Sequence, residues 1–254
     1  LRDGAERLRR ANAALLELAR SERIAQGDLV ASLNEIATAA VQGTGVDRAS
    51  IWMFEENDTR LRCVSRFDKG AIADTSQHTI RVADYPTYFE AITRDRLVSI
   101  ADVLSDPRTA ELRRDYFQPA AITATLDAGV RLHGRLVGII CLEDRAHRRS
   151  WKSEEELFVG SIADIIALAV QAGERRCIED ALRQSEEAYR SVVAALAEGV
   201  MVIHRDGSFA TFNDSAADIL GLTADYLRSH RLTDPGWDCV AADGSPLPPG
   251  DYPG

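Results

Sequence analysis

The chain has 254 residues, 45% of them hydrophobic and 28% charged, which predicts about two ordinary folded domains and excludes a disordered or fibrous protein. A formal net charge of −10 excludes broad adhesion to nucleic acid or anionic lipid, because a phosphate-binding surface needs an excess of Lys and Arg. No stretch reaches the ~20 apolar residues that span a bilayer, and Leu1, Arg2, Asp3 do not open a signal peptide, so no membrane contact is expected within the chain.

Leu1, Leu8 and Leu15 recur every seven residues with Ala5, Asn12 and Ala19 between them, which predicts an N-terminal helix with a coiled-coil seam over 1–23. A second stripe, Leu29, Leu33, Ile36, Ala37, Ala40 and Val41, predicts a core-facing helix that ends at Gly43 and Gly45. Ala49 to Phe54 and Leu61 to Phe67 then alternate as strands around the polar turn 55–59, a hairpin. Short elements follow: a strand at Thr79 to Val82, a helix at Tyr85 to Thr93, a strand at Leu97 to Ile100, and a helix opened by Asp106-Pro107 and running through Tyr116. Two apolar strands, Ile122 to Leu132 and Leu136 to Leu142, meet at a tight His133-Gly134 turn.

Ser153 is expected to cap a long helix, in a capping box with Glu156 and with three acids against the positive end of its dipole. Its stripe Phe158, Ile162, Ile165, Ala169, Ala172 changes phase near Gly173, read as a domain boundary or a bend, before Ile178, Leu182, Ser185, Tyr189, Val192 and Leu196 continue it. Asp206-Gly207 lies between two short strands, a hairpin signal. Asn213 then caps a helix that stops at Gly221, Thr223 caps another, and the proline-rich 246–253 is loop.

Motifs for chemistry are sparse. Cys63, Cys141, Cys177 and Cys239 form no CxxC pair, so they read as reduced, mostly buried packing residues of a cytoplasmic protein. His78, His133, His147, His204 and His230 show no helical metal spacing, and no nucleophile elbow, phosphate-binding glycine loop or kinase signature is present. The chain is not expected to be an enzyme. Without an initiating Met, and with its loop-like end Pro248, Pro249, Gly250, it reads as a piece of a longer protein.

Three segments carry a resemblance: Tyr116-Phe117-Gln118-Pro119 through Thr125-Leu126-Asp127, then Gly134-Arg135-Leu136-Val137-Gly138-Ile139-Ile140-Cys141-Leu142-Glu143, then Trp151 with the acidic helix start. In this order of elements, residues 24–172 resemble the GAF domain family. Residues 185–254 resemble the beginning of a PAS domain, through Ser185-Glu186-Glu187-Ala188-Tyr189-Arg190, Glu198-Gly199-Val200-Met201-Val202-Ile203 and Phe212-Asn213-Asp214-Ser215-Ala216-Ala217. The resemblance implies an α+β chain: an antiparallel GAF sheet flanked by helices over 24–172, a linker helix over 173–197, and a C-terminally incomplete PAS α/β domain over 198–254.

It also implies a ligand pocket covered by the segment 85–117, with Tyr85, Tyr88, Phe89, Asp102, Tyr116, Phe117, Thr123 and Thr125 as candidate walls; core packing is the alternative for each aromatic and the better account of Phe89 and Phe117. Cyclic GMP is disfavoured, since the Asn-Lys, Phe and Asp-Glu series of its binders is missing. Covalent bilin is disfavoured as well: phytochrome-like members place a Cys four residues before the residue matching Tyr116, and here that residue is Leu112. The expected function is a cytoplasmic sensory and relay module that binds an unidentified small molecule and signals to an output domain, a histidine kinase of a two-component system or a cyclic-di-GMP enzyme. The alternative is a ligand-free dimerisation scaffold. A parallel homodimer is expected through helices 1–20 and 154–196, with Leu8, Leu15, Ile178, Leu182, Tyr189 and Val192 in its seam.

Overall fold

The structure is a computed structural model, and it describes residues 2–55, 57–75, 78–145, 148–232, 234, 240, 241 and 243–246. His147, Cys239 and the proline-rich stretch from 247 onward, on which sequence expectations were placed, lie outside the described residues. Contacts divide the chain into two compact units, Leu1–Ile178 and Glu179–Gly254.

The first unit opens with three helices, α1 (Arg2–Ala19), α2 (Glu22–Gln26) and α3 (Leu29–Thr44). Ser21 caps α2 by accepting from the Ile24 N–H, Gly27 closes it at φ 70°, and Asp28 caps α3 by accepting from the Ala31 N–H. α1 packs on α3 and buries Ala11, Ala14 and Leu18 in the core, while Leu8 and Leu16 stay exposed. Of the leucine seam read from the sequence, Leu15 packs partly against this core and Leu8 does not. Small alanines take most of the contact and let the two helices approach closely.

A seven-stranded antiparallel sheet follows: β1 (Arg48–Glu55), β2 (Arg60–Asp68), β3 (Ala71–Ile72), β4 (Thr79–Arg81), β5 (Leu97–Ile100), β6 (Ala124–Leu132) and β7 (Arg135–Asp144). Its order is β3-β2-β1-β7-β6-β5, with β4 also on β2. His133 and Gly134, at φ 51° and 81°, make the two-residue turn between β6 and β7. Successive side chains of a strand point to opposite faces, so each central strand feeds two cores. Ala49, Ile51, Leu126, Ala128, Ile140 and Leu142 pack against α3 and a long helix, α5 (Ser153–Ala195). Trp52, Cys63, Ile139 and Cys141 face the other way, toward α4 (Pro86–Arg94) and the segment that carries Leu112 and Phe117.

Two local expectations are corrected. The helix expected from Asp106 through Tyr116 is broken into a 3-10 turn at Pro107–Thr109 and a π-helical turn at Arg113–Phe117. The Thr109 hydroxyl donates back to the Val103 carbonyl at 2.7 Å, and the Phe117 N–H bonds five residues back to Leu112, which together replace a regular ladder. At the start of α5 the capping box sits one residue earlier than expected. The Glu155 carboxylate accepts from the Lys152 N–H at 3.0 Å, and the Lys152 carbonyl accepts from the Glu155 and Glu156 N–H groups.

Gly173, read as a domain boundary or a bend, lies inside the continuous helix α5. A lone glycine costs a helix only about 1 kcal/mol, and here a Cβ would stand 3.3 Å from that of Leu29, so glycine serves the close passage of α3. What changes near Gly173 is burial: the buried residues of α5 stop at Val170. Part of α5 is long and apolar enough to cross a membrane by length and composition, and half of that stretch is buried within the fold as core.

In the second unit, β8 (Met201–Ile203) and β9 (Phe209–Phe212) form the expected hairpin, with Gly207 at φ 83°. Helices α6 (Asp214–Leu220) and α7 (Ala224–Ser229) start at the caps Asn213 and Thr223, and Gly221 closes α6. Asn213 is a hub: its Oδ1 accepts from Val200 and Ala216, and its Nδ2 donates to the Val193 and Glu198 carbonyls.

Candidate functional site

The second face of the sheet closes over a small cavity, and strand register decides what lines it. On β6 and β7, Thr125 lies opposite Glu143 and Asp127 opposite Cys141, while Arg48 of β1 pairs with Glu143 on the other side. Five polar side chains thus share one patch in the middle of the sheet. Trp52, Leu61, Ile80, Leu112 and Ile139 surround them with apolar surface, and the free volume is about 20 Å3. That suffices for about one water-sized molecule.

Two elements complete the cavity from above. The short amphipathic α4, started by Pro86 at its first position, buries Tyr88, whose hydroxyl donates to Asp127 Oδ2 at 2.7 Å. Its exposed first turn is capped from the following segment, where the Glu111 carboxylate accepts from the Thr87 N–H and hydroxyl. The π-helical turn delivers Tyr116 and Phe117, which meet edge to face at 5.2 Å, with Tyr116 also edge-on to Trp52 at 5.9 Å. Single π-turns of this kind are rare in helices and are frequently found at functional sites.

The two acids of the patch are held differently. Glu143, fully buried, takes a bidentate bond from Arg48, with Nε at 2.5 Å and Nη2 at 3.0 Å. The Tyr116 hydroxyl donates to the same carboxylate at 2.8 Å while accepting from Arg48 at 2.7 Å. Burial works against the Arg48 charge, yet the neighbouring Glu143 carboxylate outweighs it and holds the guanidinium pKa above its ordinary value.

Among the described residues, Asp127, 1% exposed, has neutral donors: the hydroxyls of Tyr88 and of Thr125, the latter at 2.5 Å, and the Cys141 thiol. Burial pushes its pKa up to about 7, against the lowering effect of the hydroxyl bonds and with help from the nearby Glu143 charge. Burial likewise pushes the phenols of Tyr88 and Tyr116 and the Cys141 thiol well above their usual range, and the Cys63 thiol to about 12.

Of the residues proposed from sequence, Tyr88, Tyr116, Phe117 and Thr125 line the cavity together. Phe89 packs behind, edge to face with Tyr88 at 5.5 Å, and half-buried Tyr85 precedes α4 against the same cluster. Asp102 lies in a turn, where its carboxylate accepts from the Leu104 N–H and the Ser105 hydroxyl and pairs with Arg148. Thr123 bonds the Asp144 carbonyl at the end of β7. The sequence reading left out Asp127 and Glu143, although an acid within each of two otherwise apolar strands was the available signal: buried charge is rare unless it is paired or functional. Leu112, at the position where bilin-binding relatives carry a cysteine, and Cys141 are cavity walls. Among the described cysteines Cys63 and Cys141 are buried and Cys177 is exposed. Among the described residues no group of three or more His, Cys, Asp or Glu is placed to hold a metal.

A two-sided antiparallel sheet with a polar-patched cavity over one face, followed by a hairpin-and-helix unit, places the chain in the class of sensory signalling modules. The chain belongs to the GAF family: the GAF domain matches residues 28–170, and the PAS domain matches residues 187–247. Among solved structures, the GAF domain from Acinetobacter phosphoenolpyruvate-protein phosphotransferase is 15% identical with a TM-score of 0.52, covering 66% of this chain and 94% of that one. The free methionine-R-sulfoxide reductase from Neisseria meningitidis, solved with its substrate, is 16% identical with a TM-score of 0.50, covering 65% and 88%. The bacteriophytochrome RpBphP3 from R. palustris is 16% identical with a TM-score of 0.59, covering 76% of this chain and 42% of that one. These likenesses show a shared fold. No curated protein matches the chain.

Proposed function

We propose that the cavity over the GAF sheet is the sensing site for a small molecule, and that the helices relay its occupancy to an output domain outside this chain, a histidine kinase or a cyclic-di-GMP enzyme. One observation carries this reading: Asp127, Tyr88, Thr125, Cys141 and the Arg48–Glu143–Tyr116 group converge in an otherwise apolar interior. Burying so many polar groups costs stability that a purely structural core would avoid with aliphatic residues. A convergent polar set in an apolar pocket is the usual form of a small-molecule site.

Sensing is favoured over catalysis by the state of the thiols. The thiolate is the nucleophile, and burial holds both Cys63 and Cys141 firmly as thiols. The free volume of about 20 Å3 points to a very small ligand or ligand group, since a bilin or a cyclic nucleotide enters only by displacing the walls.

The scaffold reading has its own support. Ile178, Leu182, Tyr189 and Val192 lie 60% to 69% exposed along α5, a row of apolar side chains that a second copy would cover. We propose a parallel homodimer along this stripe, compatible with either role.

Ligand-observed NMR with a library of molecules of up to about six heavy atoms tests the sensing function. Saturable binding that is lost in Asp127→Leu supports it. A library without a binder, together with an Asp127→Leu protein that is more stable and equally dimeric, leaves the scaffold.

A further inference from the structure

Two buried carboxylates, Asp127 and Glu143, line the cavity, and one buried cation, Arg48, stands behind Glu143. The Arg48 guanidinium is committed to Glu143 and to the Tyr116 hydroxyl. Among the described residues no cationic side chain pairs with Asp127, whose partners are two hydroxyls and a thiol. An ionised carboxylate in such a place is costly unless an opposite charge joins it.

The walls suit a particular kind of charge. Trp52, Tyr88, Tyr116 and Phe117 line the space, and aromatic faces attract organic cations. The Tyr88 and Thr125 hydroxyls spend their protons on Asp127, which leaves their oxygens as acceptors beside the carboxylate. Three acceptors in a group match the three N–H donors of a primary ammonium. Leu61, Ile80, Leu112 and Ile139 wall the space with apolar surface, and a short hydrocarbon chain on the ammonium enters by displacing them.

Other classes fit less well. An anion would meet two carboxylates with the Arg48 charge already taken. A hard metal ion needs several oxygen or nitrogen ligands, and no such group is present among the described residues. A quaternary ammonium or a guanidinium is too large for about 20 Å3, whereas an ammonium head is close to a water molecule in size.

We infer that the cavity binds the ammonium head of a small primary amine, with the Asp127 carboxylate as counter-charge, the Tyr88 and Thr125 hydroxyls as acceptors and aromatic rings as walls. This rests on the sensing function proposed above and gives it a ligand class. Binding draws the proton off Asp127, so amine affinity falls as pH drops below about 7. The groups facing Asp127 are Tyr88 from α4, Thr125 on its own strand, and Cys141 and Glu143 from β7, with Arg48 behind Glu143 and Arg108 within electrostatic reach. Burial holds the Tyr88 phenol and the Cys141 thiol well above their usual range, which leaves Asp127 as the group that titrates near neutrality.

The experiment is titration calorimetry of the whole chain with methylammonium chloride at constant ionic strength, sodium chloride making up the balance. Ammonium, tetramethylammonium, acetate and methanol are run alongside. Saturable methylammonium binding at pH 8 is expected, at least tenfold tighter than tetramethylammonium, weakening about tenfold per pH unit below about 7 and lost in Asp127→Asn. Ammonium binding as tightly as methylammonium would show that the head alone is recognised; weaker binding would show that the hydrocarbon chain contributes, and either supports the inference. Should the variant fail to fold, proton release by the wild type decides: near pH 6, buffers of different ionisation enthalpy should reveal close to one proton released per amine bound. Methylammonium binding that is equal in Asp127→Asn or independent of pH overturns the inference. Acetate or methanol binding without methylammonium overturns it and leaves the sensing function standing, whereas failure of these probes and of the small-molecule library removes both.

Discussion

Arg48 and Glu143 lie opposite each other on β1 and β7, both buried, and join through two hydrogen bonds that the Tyr116 hydroxyl extends into a triangle. Breaking a buried pair leaves a charge without compensation, which typically costs about 3–5 kcal/mol. Glu143→Gln should therefore lower the urea midpoint of the GAF domain strongly, with an unchanged denaturant slope. Arg48→Met combined with Glu143→Leu should recover most of that loss. A double variant no more stable than Glu143→Gln would show that the pair is valued for something besides charge compensation.

Asp127 should make the domain's stability fall with rising pH. Its folded pKa of about 7 lies above the ordinary carboxylate value near 3.9, so the folded state holds a proton that the unfolded state has released. The favourable contribution is complete below about pH 4 and is lost as pH rises through 7. Between pH 5 and 8 the change amounts to roughly 3 kcal/mol, as an order of magnitude. Asp68 and Asp106, whose pKa values bonds to Arg145 and Arg108 hold down, act in the opposite direction at lower pH. Comparing wild type with Asp127→Asn by denaturant unfolding across this range isolates the Asp127 contribution. Parallel pH profiles would refute it.

Asn213 should be the residue on which the second unit most depends. Its side chain caps α6 and ties the Val193 and Glu198 carbonyls and the Val200 N–H to the start of the hairpin. Asn213→Ala removes a cap and several buried bonds together, at a cost of about 2 kcal/mol or more. Amide exchange at Val200 and Ala216 should accelerate by at least tenfold. Asn213→Asp keeps the acceptor but loses the donations, so the Ala216 cap should survive in that variant while the 193–200 segment loosens.

The proposed dimer depends on Leu182, which is 60% exposed in the middle of the α5 stripe. Leu182→Glu would place a charge in an apolar seam, and sedimentation at tens of micromolar should shift from dimer to monomer. Leu16→Glu, on α1 and also exposed, lies outside the proposed seam and should leave the dimer intact. A wild-type monomer at that concentration would end the proposal.

Local chemistry was legible from the residues in order. Alternation marked the central strands, positive-φ sites at Gly134 and Gly207 marked the hairpins, and Asn213, Gly221 and Thr223 marked helix ends to the residue. These signals are short-range: a strand's period, a turn's dihedral angles and a cap's bond are written within a few neighbouring residues. Tyr88, Tyr116, Phe117 and Thr125 were found together because the family resemblance supplied a fold on which to place them. Register and packing decided the rest. Asp127 meets Tyr88 across 39 positions of chain, and Arg48 meets Glu143 across 95, so no window of sequence contains either contact. The phase break at Gly173 gave no hint that Leu29 passes close to it, and the leucine repeat of α1 gave no hint that Ala11, Ala14 and Leu18 are the residues it buries in its own domain. Periodicity tells which side chains share a face of an element, but only the assembled structure determines what that face meets, and it is this meeting that makes two acids in apolar strands into the polar floor of a cavity.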